Sequence, residues 1–217
     1  AGLRGEDSKT TYELNLKFLT ELKKEGLWLR RINIRQVEGK GFQEIPMKEF
    51  NDFKSKVRND FDGPLLEEMF PIGNVLKDVW WESHDNRTRL PSHLSDTHLS
   101  EKIHGNAGIT FGRQIGTYPI LIGTEYHIPL ETQSDIIITG HGKRSITGIE
   151  TNLDINTVSQ HQLSAIPGIG DKTAWKIISA KAKKLSKNRD LPAFKNLEDA
   201  FSEINMQIPE LASQILN

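Results

Sequence analysis

The chain has 217 residues, 36% hydrophobic and 26% charged, and its 28 Lys and Arg against 29 Asp and Glu leave a net charge of −1. That length and composition describe globular protein with room for one large or two to three small domains. The near-neutral balance argues against a uniformly basic polyanion binder. No apolar run is long enough to span a bilayer, which excludes an integral helical membrane protein. The absence of cysteine excludes disulfides, thiolate zinc sites, cysteine nucleophiles and cysteine-held iron–sulfur clusters within the chain.

In chain order, residues 8–25 read as a helix that Ser8 can cap. Leu14, Phe18 and Leu22 recur at helical spacing as its apolar stripe, and Gly26 suits its end. Leu27 to Val37 reads as a strand, with Ile32 and Ile34 on one face and Asn33 and Arg35 on the other. Met47, Phe50, Phe53 and Val57 predict a second amphipathic helix. Asp62-Gly63-Pro64 breaks it, and a short helix follows to Phe70. From Ile72 the period changes. Val75–Trp81, Ile109–Ile115, Tyr118–Ile122, Asp135–Thr139 and Ser145–Leu153 are short strands punctuated by Gly and Pro, a pattern that predicts a small barrel. Residues 83–107 read as a polar insertion.

The most specific local pattern runs from Ile155 to Ile178. Asn156 and Thr157 are cap-type residues before a short helix, and Pro167 ends it. After the turn Pro167-Gly168-Ile169-Gly170, Asp171 opens a second helix with Ala174, Ile177 and Ile178 as its stripe. The first turn of that helix leaves N–H donors unpaired, and the helix dipole adds positive potential. Gly168 and Gly170 permit close approach, so Gly168, Ile169 and Gly170 offer main-chain N–H groups to a phosphate. Lys172, Thr173 and Lys176 flank the turn. This pattern resembles the helix-hairpin-helix family of DNA repair and recombination proteins. The resemblance implies contact with the phosphate backbone and little base-sequence preference. The competing reading is a hairpin that serves packing or protein contact alone.

Charge is distributed in support of the first reading. Residues 140–190 carry nine Lys or Arg against four acids, although the whole chain is slightly acidic. Lys143 and Arg144 belong to this basic stretch, whose lysines 181–187 would equally suit a helix C-terminus. A degenerate second hairpin follows: Ile204–Leu216 aligns with Ile166–Ile178, with Met206 and Ile208 in place of the two glycines. Those side chains would obstruct a phosphate, so the second copy reads as a packing partner, and Trp175 is expected to pack against it.

Four segments taken together, Leu29–Val37, Phe111–Pro119, Gly140–Gly148 and the hairpin, resemble the C-terminal half of an archaeal radical-SAM "Fe-S oxidoreductase" family. The resemblance implies an α+β chain in three parts. Residues 1–70 would be the closing strand–helix units of a truncated β/α barrel. Residues 71–153 would form a small TRAM/OB-like β-barrel carrying the 83–107 insertion. Residues 154–217 would be an all-α helix-hairpin-helix domain with its degenerate second copy. For the full-length family it also implies a 4Fe-4S cluster and S-adenosylmethionine. The family holds the cluster with a Cys-x3-Cys-x2-Cys run, and this chain contains no cysteine. No cofactor is therefore expected here, and the chain, which opens on Ala1, reads as an excised fragment or a natural relic. TRAM-like barrels bind RNA through basic and aromatic surface residues, which here nominates Arg113, Tyr118, Lys143 and Arg144.

Other constellations are weaker. His84, His93, His98 and His104 fall in the insertion at spacings that match no compact metal motif. Trp80-Trp81 on a strand would send one ring inward and one outward. No Walker sequence, nucleophile elbow or dinucleotide fingerprint is present, and no catalytic residue is nominated. The expected function is sequence-independent binding of DNA or RNA by a cytoplasmic protein. An interdomain or protein–protein interaction module is the alternative.

Overall fold

The structure is a computed structural model that describes residues 8–27, 29, 32–35, 46–85, 108–116, 119–187 and 192–217. The chain divides into two compact units, Ala1–Phe70 and Pro71–Asn217. It is a mixed α+β protein containing a closed five-stranded barrel. Among the described residues no helix is long and apolar enough to cross a membrane.

The first unit contains α1 (Ser8–Lys24), α2 (Met47–Val57), a π turn (Arg58–Asp62) and α3 (Gly63–Met69). Its packing corrects the expected stripe on α1. Tyr12 and Leu19 are buried, while Leu14 and Phe18 are 61% and 56% exposed. The Tyr12 ring stacks on Phe53 at 4.3 Å, and Leu19 packs with Val57 and Phe61. The expected break at Asp62-Gly63-Pro64 is also corrected. Gly63 is helical, its N–H bonds to the Arg58 carbonyl, and the chain continues into α3. Pro64 lies in the first turn of α3, directly after the π turn.

The strand expected at 27–37 is absent among its described residues, Leu27, Leu29 and Ile32–Arg35. Side chains rather than a neighbouring strand satisfy the backbone of Ile32. Its N–H donates to Asp62 Oδ1 at 3.3 Å, and Arg58 Nη1 donates to its carbonyl at 3.1 Å. Arg58 and Asp62 also pair with each other, both nearly buried.

The second unit opens with the barrel. β1 (Val75–Asp85), β2 (Ile109–Gln114), β3 (Leu121–Thr124), β4 (Gln133–His141) and β5 (Ser145–Glu150) close in the order β1-β2-β3-β5-β4. All neighbours are antiparallel except β3 and β5. β1 pairs along both edges, and its register shifts between Leu76 and Val79. There Asp78 adopts φ 58° and donates its N–H to Asp135 Oδ1 at 2.9 Å. Such a bulge bends a long strand and lets the barrel close. Val79, Trp81, Ile122, Ile136, Ile138 and Ile146 are buried, and so is Ile137 on the other face of β4. Trp81 is fully buried and its indole N–H donates to Ser134 Oγ at 2.8 Å, whereas Trp80 is 36% exposed. Gly112 faces this ring: a Cβ there would lie 2.7 Å from Trp81 Cε3 and 2.6 Å from the Trp80 carbonyl.

β1 runs past the expected end at Trp81 as far as Asp85, which places His84 on the strand rather than in the insertion. Its partners there are Phe111, Thr110 and Ile109. Residues His93, His98, His104 and Tyr118 lie outside the described residues.

Four helices complete the unit: α4 (Gln160–Ala165), α5 (Asp171–Lys187), α6 (Leu197–Glu203) and α7 (Ala212–Ile215). Leu163, Ile166, Ile169, Ala174, Ile177, Phe201 and Ile215 form their core. A parallel bridge between Leu153 and Leu216 ties the exit of the barrel to the end of the chain.

Candidate nucleic-acid interface

The site is built on the turn between α4 and α5. Ser159 caps α4 reciprocally: its Oγ accepts from the Gln162 N–H, and Gln162 Oε1 accepts from the Ser159 N–H at 3.0 Å. Ile166 ends α4 in an extended conformation, as the following proline requires. The Gly170 carbonyl accepts from Thr173 and Ala174, each at 2.9 Å, and starts α5.

The three turn residues proposed from sequence play different parts. Ile169 is 1% exposed, and its N–H donates to the Ile166 carbonyl at 2.9 Å. It is a core residue, which corrects its assignment as a phosphate donor. Gly168 has φ +89°, and a Cβ there would meet Pro209 Cβ at 2.9 Å. Its missing side chain serves the left-handed bend and the fit of Pro209, not the approach of a ligand. Gly170 differs: a Cβ there would meet nothing within 4 Å. Among the described residues no group accepts from the N–H of Gly168, Gly170, Asp171 or Lys172. The last three open a 17-residue helix, where backbone donors and the helix dipole favour an oxyanion.

Lys172 and Lys176 are exposed, and among the described residues neither has a carboxylate partner. With Lys183 and Lys187 they form an exposed cationic line on one side of α5, at intervals of four, seven and four residues. The Thr173 hydroxyl is already directed at Met206 Sδ, 3.6 Å away, which corrects its assignment to a ligand. Lys181 donates to the Val158 carbonyl at 3.0 Å, and Lys184 pairs with Asp199 and Glu203. These two lysines hold the fold and leave the free positive charge on the outer side.

Trp175 is 60% exposed on this same outer side. The expected packing against the second hairpin is therefore corrected. The buried residues of α5 are Ala174 and Ile177 instead.

The barrel residues lie on separate elements. Arg113 on β2 is paired with Glu82 of β1, which neutralises it. Lys143 and Arg144 are exposed on the turn between β4 and β5, closed by the Gly142 N–H on the Ser145 carbonyl at 2.8 Å. The outward Phe111 stands opposite Gly123, and its Cε1 would lie 3.5 Å from a Cβ at that glycine.

Two further groups lie at the ends of barrel strands, and Glu150 reaches the helices through Gln162. The Tyr126 hydroxyl accepts from the Glu150 N–H at 3.0 Å. Burial raises the Glu150 carboxyl above its usual range, against hydrogen bonds from Ser134, Gln162 and Tyr126. His84 at the end of β1 stacks face to face on His127 at 4.4 Å and contacts the Ile128 carbonyl through Nε2 at 2.8 Å. Among the described residues no three His, Asp or Glu side chains are arranged to hold a metal ion.

The chain is similar to two archaeal proteins. It is 34% identical over 179 residues to an uncharacterized protein of Archaeoglobus fulgidus, a match covering 77% of this chain and 29% of that protein. It is 31% identical over 158 residues to an uncharacterized protein of Methanocaldococcus jannaschii, covering 68% of this chain and 25% of that one. The chain thus spans less than a third of the length of these curated relatives. No family model matches it, and no solved structure matches it significantly.

Proposed function

We propose that the Pro71–Asn217 unit binds nucleic acid through the phosphate backbone, with the α4–α5 hairpin acting as a helix-hairpin-helix element. The observation that carries this reading is the start of α5. Among the described residues the N–H groups of Gly170, Asp171 and Lys172 have no acceptor and Lys172 and Lys176 have no carboxylate partner, and they adjoin open space at Gly170. A phosphate placed there completes hydrogen bonds the fold leaves open and displaces counterions from the lysines. Nothing in this device reads base edges, so sequence preference is weak. The barrel supports the same reading. Its closure, with β5 inserted between β3 and β4, is that of an OB-type barrel, whose β2–β3 face and β4–β5 loop take oligonucleotides. Lys143 and Arg144 occupy that loop.

On the resemblance to radical-SAM proteins, this unit would dock a longer enzyme onto its nucleic-acid partner. The cluster of that family does not fit this chain, which has no cysteine and, among the described residues, no alternative ligand set. No chemical step is assigned to it. A purely architectural hairpin is the second reading, favoured by Pro209 on Gly168 and by Thr173 on Met206.

Fluorescence anisotropy with short oligonucleotides of unrelated sequence separates the two. Phosphate binding predicts similar affinities across sequences, and a salt slope that falls in magnitude by about two in a folded Lys172→Glu, Lys176→Glu variant. Unchanged affinity and slope in that variant would establish the architectural reading.

A further inference from the structure

The outer side of α5 carries more than cations. Trp175 is 60% exposed, whereas its sequence neighbour Ala174 and Ile177 on the opposite side are fully buried. It stands three residues after Lys172 and one before Lys176, both exposed. Helical side chains lean toward the N-terminus and cover the preceding turn. The indole therefore overlies the turn at Asp171 and Lys172. A large apolar ring left largely in water beside the N-terminal end of a cationic line contributes little to the core of its own unit.

From this juxtaposition we infer that α5 selects a single-stranded polynucleotide, stacking an unpaired base on Trp175 while Lys172, Lys176, Lys183 and Lys187 follow the backbone. The inference rests on the phosphate-binding reading above and adds the class of strand. Charge complementarity identifies the occupant as a polyanion. The ring identifies it as one with free π faces, since every unpaired base can stack on an indole whatever its sequence. Bases within a duplex are already stacked on their neighbours and cannot cover the ring. Ribose and deoxyribose strands share this chemistry, and both are included in the test.

The test measures the affinity of the full chain for a labelled single strand, as RNA and as DNA, and for the blunt duplex of the same sequence. Wild type is compared with Trp175→Ala and Trp175→Phe, each checked by circular dichroism. The inference predicts tighter binding of single strands than of duplex. It predicts roughly tenfold weaker single-strand binding in Trp175→Ala and substantial recovery in Trp175→Phe. It further predicts quenching of tryptophan emission by the single strand that Trp175→Phe reduces. Equal affinity for strand and duplex, with Trp175→Ala binding like wild type, would overturn the inference and leave phosphate binding standing. Failure of every nucleic acid to bind would overturn both.

Discussion

Gly168 and Pro209 approach so closely that a Cβ added to the glycine would lie 2.9 Å from the proline Cβ. They come from the two hairpins and lie 41 positions apart in the chain. The contact shows that the second hairpin helps to shape the tight turn. Gly168→Ala would add both a left-handed non-glycine residue and an overlap. The expected destabilisation is about 2 kcal/mol, a fall in melting temperature of roughly 4–8 °C for a domain of this size. Thermal unfolding followed by circular dichroism measures it. A melting temperature equal to wild type would show that Pro209 yields freely.

The first unit depends on a different device. Arg58 and Asp62 pair within the buried end of α2 and the π turn, and together they satisfy both backbone groups of Ile32. Asp62→Ala would leave a buried guanidinium without its carboxylate and the Ile32 N–H without its acceptor. A loss of about 3 kcal/mol is expected in urea unfolding. A loss below about 0.5 kcal/mol would mean that water reaches the pair.

The His84–His127 stack predicts an acid-sensitive barrel end. Burial, followed by the charges of His84 and His161, lowers the pKa of His127 from 6.5. The folded state thus favours the neutral ring. Its contribution to stability is fully present above the unfolded value of 6.5 and is lost as pH falls through the lower folded value. Melting temperatures taken between neutral and mildly acidic pH should therefore fall less steeply in His127→Phe, which keeps a ring in the stack but cannot titrate. Parallel curves for the two proteins would contradict the assignment.

The sequence made some of this architecture legible and left other parts hidden. The short apolar runs Val79-Trp80-Trp81 and Ile136-Ile137-Ile138 mark barrel strands, because β-branched and aromatic residues bounded by turn signals suit buried strands. The polar Ser83-His84-Asp85 hides the end of β1, since ladder hydrogen bonds are made by the backbone and ignore side-chain polarity. At 27–37 the alternation was present, yet Ile32 is held by Arg58 and Asp62, 26 and 30 residues away. In the hairpin, the turn and the free helix start followed from Pro167, Gly168 and Gly170. The burial of Ile169, the role of Pro209 and the exposure of Trp175 depend on where the second hairpin lies, and no local spacing encodes that.

Gly170→Asp tests the central claim most directly, because it separates stability from binding. The residue occupies the cap position of α5, lacks a left-handed φ and faces open space. An aspartate there suits a helix cap and should hold or raise stability by a few tenths of a kcal/mol. The same carboxylate would accept from the free N–H groups and repel a phosphate. Anisotropy titration of this variant against wild type should show an intact melting temperature with affinity for nucleic acid reduced about tenfold or more. Wild-type affinity in the folded variant would contradict phosphate binding at the α4–α5 turn.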